Sequence, residues 1–125
     1  MKKKIMLVDD NLDLLKVFKK RLESITGEYE VIGVKSGKEC FDLLKEGQIP
    51  DLILLDIMMP EINGWDVLAK LRRDSAWEKI PVIFLTAKTD DTSKGLGTLT
   101  SEGYITKPFE MTEIIETIEK FFERR

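Results

Sequence analysis

The stretch Asp51-Leu52-Ile53-Leu54-Leu55-Asp56 constrains the fold of this chain more than any other. Leu52 to Leu55 is an unbroken apolar run, short enough for a strand and without the polar alternation of a half-exposed one. It predicts a strand of a parallel sheet with helices on both faces. The run ends directly in a carboxylate, Asp56. Burying an unpaired charge there would cost several kcal/mol, so Asp56 either opens into a solvated loop or is compensated by other groups at the same level. The ends of the other strands decide between these.

In chain order, Ile5-Met6-Leu7-Val8 reads as a first buried strand. From Asn11 to Thr26, apolar residues at 14, 15, 18, 22 and 25 have the period of an amphipathic helix, with Gly27 as its stop. Tyr29–Val34 reads as a second strand, at an edge of the sheet. Ser36 and Glu39 have the spacing of a capping box for a helix running to about Glu46, with Gly47 after it. Pro50 precedes the third strand; Asn63-Gly64 predicts a turn, and Trp65, Leu68 and Leu71 continue as a third helix. Pro81 introduces a fourth strand, Val82–Leu85. Asp90–Glu102 is the place for a further helix, but Gly95, Gly97, Thr98, Thr100 and Ser101 are weak helix formers, so a short or soft one is expected. Gly103–Thr106 is a fifth strand, and Met111–Glu123 closes the chain as a helix with Ile114, Ile115, Ile118, Phe121 and Phe122 inward. This alternation predicts an α/β, doubly wound parallel sheet, with residues 1–125 as one domain.

Composition excludes several function classes. A net charge of −3 gives no bulk attraction to nucleic acid. The apolar run after Lys2-Lys3-Lys4 lasts only four residues before Asp9-Asp10, too short for a secretion signal, and no stretch approaches a membrane span. Cys40 is alone, so no internal disulfide can form, which suits a cytoplasmic protein; beside Phe41 and Leu44 it reads as a buried helix residue. The chain has no histidine.

Ligands of doubly wound sheets bind beyond the carboxyl ends of the strands. That rim receives Asp9 and Asp10 from the first strand, Asp56 from the third, Thr86 from the fourth and Lys107, followed by Pro108, from the fifth. Clustered carboxylates raise each other's pKa unless a cation joins them. An all-oxygen set suits Mg²⁺, with Mn²⁺ as a substitute, while the absence of histidine and the lone cysteine disfavour zinc. A carboxylate beside Mg²⁺ and a lysine can attack a phosphoryl group and become an aspartyl phosphate.

At Val8-Asp9-Asp10, Leu54–Pro60 with Asn63-Gly64, Phe84-Leu85-Thr86-Ala87 and Gly103–Phe109, the chain resembles the receiver domain of two-component response regulators. The resemblance spans essentially the whole chain and implies a flavodoxin-like fold with strand order 2-1-3-4-5. It implies that Asp56 is the phosphoacceptor and that Asp9, Asp10, Asp56 and the main-chain carbonyl of Met58 hold Mg²⁺. Thr86 and Lys107 would bind the phosphoryl oxygens, Tyr104 would be the aromatic side chain that moves on activation, and Lys107–Pro108 would be cis. Two departures bear on output: the segment from Thr86 to Tyr104 is slightly short for the family, and Thr100-Ser101 stands where a Gly-Ala pair is common.

Without histidine the chain carries no phosphohistidine of its own, so the donor is expected to be a sensor histidine kinase or a histidine phosphotransfer protein, and the output a downstream protein. On this reading the chain is no enzyme beyond its own phosphorylation and dephosphorylation. A phosphatase working through an aspartyl intermediate would need a second Asp two residues after the nucleophile, where Met58 stands. A protein-interaction module that is never phosphorylated would not need the full rim set. Ending at Arg125, the chain reads either as a stand-alone regulator or as a receiver cut from a longer protein.

Overall fold

The computed structural model describes residues 2–87 and 103–124. Five parallel strands, β1 (Lys3–Val8), β2 (Tyr29–Val34), β3 (Leu52–Asp56), β4 (Val82–Ala87) and β5 (Gly103–Lys107), form one sheet in the order β2-β1-β3-β4-β5. This is the expected flavodoxin-like order, with β2 at an edge. The described helices are α1 (Leu12–Thr26), α2 (Gly37–Lys45), α3 (Gly64–Arg73) and α4 (Met111–Glu123). None is long and apolar enough to cross a membrane.

Successive strand residues face opposite sides of the sheet, so the continuous apolar runs feed two cores. Met6, Val8, Ile53, Leu55 and Phe84 meet Phe41 and Leu44 of α2 and Val67, Leu68 and Leu71 of α3. Ile5, Leu7, Leu52, Leu54 and Leu85 meet Phe18 and Leu22 of α1 and Ile114, Ile115 and Ile118 of α4. Burial of Cys40 in the first core pushes its thiol up to about 12.

Helix ends follow local side-chain chemistry. Asn11 caps α1 by accepting from the Leu14 amide at 3.1 Å, and Gly27 ends it at φ 71°, a left-handed conformation. Ser36 caps α2 by accepting from the Glu39 amide at 3.1 Å. The other half of the expected capping box differs: the Glu39 carboxylate reaches past Ser36 to the Lys35 amide, at 2.9 Å.

Other departures are instructive. Asn63-Gly64 is no turn between elements: Asn63 is the N-cap of α3 and Gly64 its first residue. β1, β4 and β5 extend beyond their apolar cores, because main-chain pairing continues where side-chain hydrophobicity stops. Ile25 is exposed, and Phe121 and Phe122 are only half-buried. Tyr104 on β5 is 55% exposed. The Lys107–Pro108 bond is cis, as the resemblance implied. The Thr86 side chain and the helix expected over Asp90–Glu102 lie outside the described residues.

Candidate functional site

The central strands end together. Val8 is level with Leu55 and Asp56 with Leu85, so Asp9 and Asp56 leave neighbouring strands side by side. Lys107 ends β5 level with Ala87, the last residue of β4, and reaches back across the rim. Its ammonium donates to Asp9 Oδ2 at 3.1 Å and to Asp56 Oδ1 at 3.3 Å. Asp9 Oδ1 accepts from the Asn11 amide at 2.9 Å, and Asp56 Oδ1 also accepts from the Met58 amide at 3.3 Å. Among the described residues, Asp9 and Asp56 are the buried charged ones, whereas Asp10 is exposed.

One carboxylate oxygen from each of Asp9, Asp10 and Asp56 lies within 4.8 Å of the others. The cluster is electrostatically unbalanced, and Asp56 registers it. Burial, and then repulsion from Asp9, push its carboxyl up to about 6 from an ordinary 3.8, outweighing the bonds from Lys107 and the Met58 amide. At Lys107 the balance runs the other way. Burial opposes its charge, but the two carboxylates outweigh burial and hold its pKa above the ordinary value.

The loop after β3 is held from beneath. Gly64 donates its amide to Ile57 O at 2.9 Å. Any side chain there would collide with main chain: a Cβ on Gly64 would lie 2.6 Å from Asp56 O and 2.8 Å from Ile57 Cα. Turns closed by Met59 N–H on Ile57 O and Ile62 N–H on Pro60 O shape the loop, and Glu61 within it has φ 67°. A groove of about 440 Å³, lined by Asn11, Leu14, Lys107, Pro108 and Phe109, opens beside the Lys107 ammonium.

The structure therefore brings together Asp9, Asp10, Asp56 and Lys107. The Met58 amide joins them, while its side chain is 61% exposed. Tyr104, on β5, is exposed. Sequence reasoning passed over Asn11 and Gly64 as parts of the site. The signal for Asn11 was present, since a helix-capping Asn directly after an Asp pair brings its amide back onto the first carboxylate. For Gly64 the local turn chemistry concealed a long-range demand for space under β3.

Comparisons with known proteins agree with this geometry. A family model described as the response regulator receiver domain matches residues 5–119. The polar-differentiation response regulator DivK of Brucella ovis is 40% identical over 124 residues, covering 97% of this chain and 97% of DivK. The probable transcriptional regulator ycf29 of Pyropia yezoensis is 40% identical over 123 residues. That match covers 97% of this chain and 54% of ycf29, so the chain spans about half that relative's length. The crystal structure of the phosphorylated cyanobacterial phytochrome response regulator RcpA superposes with a TM-score of 0.80 at 29% identity, across 98% of this chain and 93% of RcpA.

Proposed function

The chain belongs to the family of response regulator receiver domains, and on that premise we propose that Asp56 accepts a phosphoryl group from a phosphohistidine on a partner protein, with Mg²⁺ held at the same rim. One observation carries the reading: three carboxylates converge to within 4.8 Å and Lys107 pairs with two of them, so the site holds more negative charge than the described residues balance.

The donor set fits a hard divalent cation, because every side-chain ligand is an oxygen. Asp9, Asp10 and Asp56 would hold it with the Met58 carbonyl. Asp9, whose oxygens also accept from the Asn11 amide and Lys107, would orient the set as well. When bound, the ion supplies charge neutralisation at the phosphoryl oxygens.

The chain's own residues do the rest. An Asp56 oxygen attacks phosphorus; the O–P bond forms as the donor's P–N bond breaks, and the electron pair leaves on the imidazole nitrogen, which takes a proton from solvent. Lys107 gives up a carboxylate contact to donate to a phosphoryl oxygen, and the Thr86 hydroxyl donates to another. Tyr104, starting from an exposed position, turns inward as Thr86 moves and changes the face offered to a downstream protein. The donor is a sensor histidine kinase or a histidine phosphotransfer protein, since this chain has no histidine. The reading places the protein in the cytoplasm, without direct contact to nucleic acid or membrane. RcpA, in its phosphorylated form, has the same fold, which supports the reading.

Incubation with acetyl phosphate and Mg²⁺ followed by intact mass tests it. The expected result is a gain of one phosphoryl group that is lost with chelator and absent in Asp56→Asn. A gain of the same size in Asp56→Asn would overturn it.

A further inference from the structure

The edge of the sheet at β2 carries a contact that the phosphoryl site does not use. The amides of Lys3 and Asp9 donate to the carbonyls of Glu28 and Val34. Even-numbered residues of β2 therefore turn their main-chain groups toward β1, and Tyr29, Val31 and Gly33 turn theirs outward. An outward row of this kind is a template for another strand.

At its centre the row is already occupied. Lys19 Nζ donates to Val31 O at 2.9 Å, and Glu23 Oε2 accepts from Val31 N at 2.8 Å. The same two side chains form an ion pair at 2.8 Å, one helical turn apart on α1. The middle residue of the open edge thus has both main-chain groups satisfied by a charged pair from a helix. The bond from Lys19 and that from the Val31 amide hold the Glu23 carboxyl below its ordinary value. Leu15, one turn earlier on α1, lies over Gly33, its Cβ 3.5 Å from where a Gly33 Cβ would be.

We propose that Lys19 and Glu23 are a clasp that keeps β2 from pairing with β2 of a second copy of this chain. The strand is suited to that pairing once opened. Antiparallel alignment about Val31 sets Tyr29 opposite Gly33 of the second copy, and the Tyr29 ring stays in its own core against Phe122. Glu30, the strand's charged residue, falls opposite Ile32 of the copy, so no like charges meet. The two-fold arrangement is self-complementary and closes as a dimer.

The test is Lys19→Ala with Glu23→Ala in the full chain, checked for native circular dichroism. Both side chains are partly exposed on α1 and alanine is the strongest helix former, so the helix is retained. Glu23→Ala alone, which leaves Lys19 on Val31 O, is the milder variant should the pair fail to fold. Lys38→Ala with Asp42→Ala, which removes an exposed ion pair on α2, controls for loss of charge. Sedimentation should show the wild type and the control as monomers and the clasp variant as a monomer–dimer equilibrium. In dilute solution its Val31 amide should exchange about tenfold faster than in the wild type, and protection should return across Tyr29–Gly33 as concentration rises. A clasp variant that stays monomeric overturns the proposal, as does a wild type that already dimerises through β2.

Discussion

Two charged clusters on this molecule are built to opposite ends. At the rim, Lys107 faces two buried carboxylates with a third close by, and burial with mutual repulsion drives Asp56 up to about 6. At the sheet edge, Lys19 faces a single carboxylate, that of Glu23, and both side chains also satisfy main-chain groups of Val31. There the carboxyl is held below its ordinary value instead. A balanced pair near solvent is a finished structural contact. An unbalanced buried cluster is costly until a cation offsets it, so the rim bears a destabilising charge.

Replacing the charge at the rim should give the largest change. Asp56→Asn should stabilise the metal-free protein at pH 7 by up to about 3 kcal/mol, the equivalent of the upward shift of its carboxyl. Denaturant unfolding with chelator present measures this. The wild type should show the same effect as a pH dependence. Folded Asp56 keeps its proton to about pH 6, while an unfolded aspartate releases it near 3.8. Between those values the unfolded state binds fewer protons, so this group's contribution to stability falls as pH rises and levels off above about 6. A flat profile across that window, or one that rises in wild type relative to Asp56→Asn, would show that the carboxylate is not destabilised.

Lys107→Arg comes next. It keeps the charge but replaces a compact ammonium with a wide planar group, and should slow phosphorylation by acetyl phosphate about tenfold or more. An unchanged rate would mean that the placement of the lysine is not what matters. At the edge, Glu23→Ala should cost only about 1 kcal/mol in unfolding, the worth of one charge-assisted bond to Val31 in a partly exposed setting. Lys38→Ala, which breaks an exposed pair with Asp42 one helical turn away on α2, should stay within about 0.5 kcal/mol of wild type in the same assay. If Lys38→Ala costs as much as Glu23→Ala, the edge pair is an ordinary helix-surface contact and the contrast collapses.

Legibility divides along the same line. Buried strands announce themselves because four consecutive apolar residues fit few other settings, and each such run delivered its polar successor to the rim: Asp9 after Val8 and Asp56 after Leu55, with Lys107 at the end of the short β5. Residues whose roles depend on the phase of a distant backbone were not legible. Nothing near Lys19 and Glu23 in sequence says that Val31 turns its amide outward toward them. Ile25 keeps the helical period, yet it is exposed, because periodicity does not say where the covering sheet ends. Gly64 read as turn chemistry, and its actual constraint, main chain of β3 within 3 Å of a missing Cβ, is a tertiary fact. Tyr104 lies on a strand whose alternation did not distinguish an inward ring from an outward one.

Thermal unfolding against Mg²⁺ concentration at pH 7 shows whether Asp9, Asp10 and Asp56 converge on a place for a divalent cation. The wild-type midpoint should climb with Mg²⁺, because an ion that binds only the folded state stabilises it, and Asp10→Ala should lose most of that rise. Equal rises in wild type and Asp10→Ala, or no rise in wild type, would contradict it.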